Sequence, residues 1–214
     1  MKKTTQLSAK CTQIFILFAG IILMFSRNFS AENPTFLFLR TDVSARAASL
    51  GGGFSTVHDD INAMFYNPAT LGTLSSSQAS FGYYSLLMDV SAGSAAYGQT
   101  IEDFGIVGAG IRFVNYGDFI QTDNNGVGID QFSALDIAFN IGASYKFEER
   151  LFFGGNMRII SSSIANYSSS GIAFDFGTLY TLENNRTSFA FTVNNLGTQL
   201  SSYIDTKEPL PMYI

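Results

Sequence analysis

The chain has 214 residues, of which 14% are charged, and it carries 21 Phe, 10 Tyr and 20 Gly but no Trp. A net charge of −5 without any Lys/Arg cluster excludes the basic footprint that a nucleic-acid partner requires. A single Cys excludes an internal disulfide, and no apolar run reaches the roughly 18 residues of a membrane-spanning helix. The length suits one domain.

Residues 1–31 read as a secretory signal peptide. Lys2, Lys3 and Lys10 supply positive charge, and residues 14–25, IFILFAGIILMF, form an apolar core of signal-peptide length. Ala31 is the candidate last residue, although Phe29, two positions before it, is not small. Cys11 precedes the apolar core, on the wrong side for lipid attachment, and is expected to leave with the signal.

Residues 35–74 have no long alternation and suit a compact insert. Ser44 is placed to cap a short helix over residues 45–50, which Gly51, Gly52 and Gly53 end. These glycines are not a phosphate loop, because no Lys-Ser/Thr follows and no βαβ unit surrounds them. They point instead to a tight, close-packed backbone. His58-Asp59-Asp60 invites a metal or catalytic reading, but His58 is the only His and no Cys accompanies it. Asp59 or Asp60 as the cap of a short helix over residues 61–66 accounts for them better. Asn67-Pro68-Ala69 is expected to stop that helix, since the residue before proline avoids the helical region.

From residue 78 the chain alternates. Residues 134–147, ALDIAFNIGASYKF, place Leu135, Ile137, Phe139, Ile141, Tyr145 and Phe147 on one face of a strand. Asp136, Asn140, Ser144 and Lys146 fall on the other. Similar segments cover 78–90, 91–100, 105–116, 151–162, 171–181 and 187–195, about seven strands in all. Joins at 101–104, 148–150 and 183–186 are short. Those at 117–131, 161–170 and 196–208 are long, and only the junction at Ser91 breaks the alternation. Long strands with alternating faces, and short turns alternating with long loops, are the signature of an outer-membrane barrel. The predicted fold class is therefore all-β: a transmembrane antiparallel β-barrel over 78–214, behind a plug at 35–74. A soluble β-sandwich is the rival. An open edge is not tolerated in hydrocarbon, and bacterial single-chain barrels use an even strand count from about eight upward. The reading frame is therefore expected to continue past Ile214 with more strands. The alternative is a barrel completed by several chains.

The residues 38–40 (FLR) and 43–52 (VSARAASLGG), then Asp59-Asp60 and Asn67-Pro68-Ala69, resemble the PorV/PorQ group of outer-membrane proteins. Asn115-Tyr116-Gly117, Tyr167-Ser168-Ser169, Asn195-Leu196-Gly197 and Glu208-Pro209-Leu210-Pro211 extend the likeness through the mature chain. More loosely, the first stretch is similar to the N-terminal plug of FadL-type transporters of hydrophobic compounds. The resemblance implies a FadL-like barrel of about 14 strands, with a plug motif at Arg46, Gly51, Gly52, Asp59, Asp60, Asn67 and Pro68. It implies location in the outer membrane and work with the type IX secretion system, in export or surface attachment of cargo. Its partners would be outer-membrane lipid, other secretion proteins and cargo, or hydrophobic small molecules in the transport alternative. No catalytic, cofactor-binding or metal-binding residue is carried over, and no Gly-x-Ser-x-Gly elbow occurs. Arg112, Asp136, Arg158 and Asp175 lie on the polar faces of the strands. An Arg on the lipid face costs about 2–4 kcal/mol at midplane, so these four are candidate lumen charges, with Arg46, Asp59 or Asp60 of the plug as candidate ion-pair partners.

Overall fold

The computed structural model describes residues 33–102, 104–184 and 186–214. The signal-peptide reading of residues 1–31, with Cys11, lies outside the described residues. Seven strands form one antiparallel sheet in chain order. They are β1 (Gln78–Ser85), β2 (Ser91–Ile101), β3 (Gly105–Thr122), β4 (Gly128–Glu148), β5 (Leu151–Ile164), β6 (Tyr167–Thr181) and β7 (Ser188–Ser201). Each strand pairs with its neighbour in sequence, so every link is a hairpin and β1 and β7 are the edges. The fold is all-β, and the sheet is open.

The connections differ from the sequence reading. Residues 161–170, expected as a serine-rich loop, are ladder: Ser161 pairs with Ser170, Ser162 with Ser169, Ser163 with Ser168 and Ile164 with Tyr167. Ala165, at φ 52°, helps turn the chain back. Most of 117–131 is likewise strand, because β3 and β4 run on as a ribbon to a turn at 123–127. Ladder bonds are made by the backbone, so polar or exposed side chains do not end a strand. The expected alternation of short and long joins is therefore absent. β1 is shorter than expected, because Met88 and Asp89 take positive φ and Leu86 N–H donates to the Val90 carbonyl at 2.7 Å.

The sheet buries its polar face and exposes its apolar one. Asp136, Asn140, Ser144, Asn156, Arg158 and Asp175 are buried, while Leu135, Phe139, Ile141, Tyr145, Phe147, Phe153, Phe174 and Phe176 are exposed. On edge strand β1, Phe81 is 79% exposed. A soluble sheet does the reverse.

The segment 35–74 covers the polar face. It holds a 3-10 turn at Leu37–Arg40, the helix α1 (Ala45–Ser49), and 3-10 turns at Ile61–Phe65 and Pro68–Thr73. Ser44 caps α1 by accepting from Ala47 N–H. Gly52 N–H then donates to the Ala47 carbonyl and Gly51 N–H to that of Ala48, both at 3.0 Å. This closure places Gly51 at φ 61° and Gly52 at φ 77°, which glycine adopts without a Cβ penalty. Asp60 accepts from Asn62 N–H at the next turn. Asn67-Pro68 was expected only to stop a helix. It also starts one, because proline suits a first helical position and Asn67 caps it through Ala69 N–H.

Large side chains of the segment meet small ones of the sheet. Ile61, Met64, Phe65, Leu71 and Leu74 pack with Ala96 and Ile106. Phe36, Phe38 and Leu39 pack with Ala92, Ala138 and Ala173, joined by Leu210 of the returning C-terminal stretch. Each fully buried large apolar side chain contributes about 1.5–3 kcal/mol. Glycine makes the approach possible: a Cβ at Gly177 would overlap the Asn67 side chain, and one at Gly154 would overlap Pro68 and Ala69 backbone.

Candidate functional site

The polar face under the segment carries the candidate site. At its centre Arg158 and Asp175, both with 0% side-chain exposure, form an ion pair at 2.7 Å between β5 and β6. A β-bulge completes it. Two residues of β7, Asn194 and Asn195, stand opposite Asp175, and Asn195 takes positive φ. The bulge turns Asn195 N–H toward Asp175 Oδ1 at 2.7 Å, and the Asn195 side-chain oxygen accepts from Arg158 Nη1. With its amide oxygen turned inward, Asn140 accepts from Arg158 Nε at 2.9 Å. Asn156 donates to Asp175 Oδ2 at 3.3 Å and to the Met64 carbonyl of the segment at 3.3 Å. Burying two charges is costly unless such bonds satisfy them, and here nearly every donor is used.

Among the described residues Asp136 makes no ion pair. It accepts from Tyr116 OH at 2.7 Å and from the Ser162 hydroxyl. Among the described residues Arg112 makes no ion pair. Its Nη1 donates to the Leu39 carbonyl at 2.8 Å, and its guanidinium lies 4.8 Å from the Phe65 ring centroid. The expected pairing of these strand charges with the segment's own charges does not occur. Arg46 instead pairs with Asp60 at 2.8 Å within the segment. Asp59, at φ 53°, accepts from Ser75 N–H, Ser75 Oγ and Gln78 Nε2, each at 2.9 Å. The Ser75 bonds first, and then that of Gln78, hold its carboxyl below the usual range. Asn67 ties the segment to the sheet by donating to the Thr178 carbonyl, and it also donates to the Ser55 carbonyl within the segment. Burial pushes the Tyr66 hydroxyl up, and it donates to Asp42 Oδ1 at 2.9 Å.

Thus the four strand charges share one face, but only Arg158 and Asp175 are brought together. Sequence reasoning missed Asn140, Asn156 and the Asn194–Asn195 bulge. The signal was present: Asn140 and Asn156 alternate with apolar residues, and an Asn pair before Leu196-Gly197 marks a strand irregularity.

Two cavities lie beside the segment, and Arg112 lines the smaller. One, of about 300 Å³, is lined by Arg112, Arg40, Asp42, Phe65, Tyr66 and Tyr213 among others. The other is a mainly apolar groove of about 900 Å³ between the segment and β1, walled by Phe38, Phe81, Tyr83, Val90 and Val114. His58 is at the far end of β6 and β7. Its Nε2 lies 3.0 Å from Ser188 Oγ, but among the described residues no carboxylate bonds the ring. Burial lowers its pKa. Among the described residues no three His, Cys, Asp or Glu side chains are placed to hold a metal, and no helix is long and apolar enough to cross a membrane.

Compared with protein-family models and with curated proteins, the chain matches none.

Proposed function

We propose that this chain is a non-enzymatic outer-membrane β-barrel component of the type IX secretion system, assisting export or surface attachment of cargo proteins. The observation that carries the membrane part is the reversal of the sheet. Phe, Tyr, Ile and Leu side chains line the uncovered face, and the charges lie under the segment. Lipid solvates such an apolar face, whereas water does not. In this reading residues 35–74 are the lumenal plug and 78–214 are wall. The secretion part rests on the resemblance to the PorV/PorQ group alone. A deletion strain, assayed in parallel for cargo display and for uptake of a labelled fatty acid, tests it: cargo display is expected to fall and uptake to stay normal.

A FadL-like transporter of hydrophobic compounds is the second reading. The groove of about 900 Å³ between segment and β1 favours it, because apolar walls with a few polar groups suit an apolar ligand. Normal cargo display with lost uptake in the same strain would decide for this reading.

A further inference from the structure

Arg112 is the one described strand charge whose surroundings do not explain it. The residue is 4% exposed, yet it has no carboxylate partner within ion-pair distance among the described residues. The neighbouring charges are already engaged. Asp175 is held by Arg158, Asn195 and Asn156. Asp136, across the ladder from Val114, is held by Tyr116 and Ser162. Asp42, which lines the same cavity, accepts from Tyr66 OH.

Of the guanidinium's five N–H groups, the structure shows a single bond to the protein, from Nη1 to the Leu39 carbonyl. Nε is buried without a partner. A buried cation left without an anion is destabilising, and the Phe65 ring face offsets only part of that. The guanidinium borders a cavity of about 300 Å³, at the small end for ligand sites. Arg40 adds a second positive charge to its wall, and the Asp42 carboxylate offsets one.

We propose that this cavity is a binding site for a small carboxylate, with Arg112 as the principal anion partner and Arg40 as the second cation. A carboxylate would supply the missing acceptors, because its two oxygens match the planar array of guanidinium donors. The site depends on the packing of residues 39–42, 65–66 and Tyr213 around Arg112 of β3, and it stands apart from the secretion role.

The full chain in detergent, melted in sodium acetate and in sodium chloride of equal ionic strength, tests this. At acetate about tenfold above its dissociation constant the melting temperature is expected to be about 3–6 °C higher than in chloride. Arg112→Gln should remove that difference. If Arg112→Gln does not fold, Arg112→Lys, which keeps the charge but loses the planar donors, should show a smaller difference. No acetate effect on the wild-type chain overturns the proposal. So does an undiminished effect in whichever variant folds.

Discussion

At the scale of single residues, the polar face is held by a few strongly coupled groups. Arg158 and Asp175 are each fully buried, so removing one leaves the other charged and unpaired. Arg158→Met or Asp175→Asn alone is expected to cost about 3–5 kcal/mol in urea unfolding. The double variant should cost clearly less than the two added together; strict additivity would mean that the two side chains are not coupled. Asp59 gives a pH signature. Its folded-state carboxyl titrates below the ordinary value of 3.8, chiefly because Ser75 N–H and Oγ donate to it. The folded state therefore binds fewer protons there than the unfolded chain. The stabilisation is complete above 3.8 and is lost as pH falls through the lowered value. Asp59→Asn, which tolerates the positive φ, should flatten the acid limb of stability against pH. An unchanged acid limb would place the titration elsewhere.

At the scale of elements, two surfaces are matched by size. Glycines and alanines on the covered face of the strands admit Phe65, Leu71 and Asn67 of the segment. Gly177→Ala should destabilise by about 1–3 kcal/mol through overpacking against Asn67. Gly155→Ala is the control, because the nearest atom to a Cβ there is the Asp175 carbonyl oxygen at 4.0 Å. Equal melting of the two variants would show that the Asn67 contact is not tight. The uncovered face makes a different demand. With no native Trp in the chain, a single introduced one is a clean reporter. Phe139 is 42% exposed and Phe65 is 1% exposed. In vesicles containing brominated lipid, Phe139→Trp should be strongly quenched and Phe65→Trp hardly at all. Similar quenching at both positions would count against lipid contact by the uncovered face.

At the scale of the whole molecule, β1 and β7 run in the same direction, because an up-and-down sheet reverses at each of its strands. Under the barrel proposal, all-antiparallel closure therefore takes an odd number of further strands between them. Two copies inserted with the same orientation would meet β1 against β7 in parallel, the less stable pairing. Under the same proposal, the segment 35–74 would set what the interior can pass. Removing it would uncover Arg112, Arg158 and Asp175 together with the glycines that receive it. In a reconstituted bilayer the variant lacking 35–74 should conduct small ions and polar dyes better than the full chain. Equal conductance from two correctly inserted proteins would rule out a plugging role.

Strand number and the two faces of each strand follow from alternation, because side-chain direction in a strand depends only on position along it. Caps at Ser44 and at Asp59 or Asp60 follow in the same way from local hydrogen-bonding chemistry, and the structure places the second at Asp60. The strand ends at 117–133 and 161–170 were not legible, since ladder pairing is a backbone property that serine and asparagine neither announce nor forbid. Nor was the partner of any charge. Arg158 meets Asp175, and Arg112 meets a carbonyl and an aromatic ring, because register and the β7 bulge set distances that no spacing in one chain encodes. Alternation by itself determined which residues share the polar face. Only the tertiary structure decided that residues 35–74 cover that face and leave the apolar one bare, since covering is a contact between surfaces far apart in sequence.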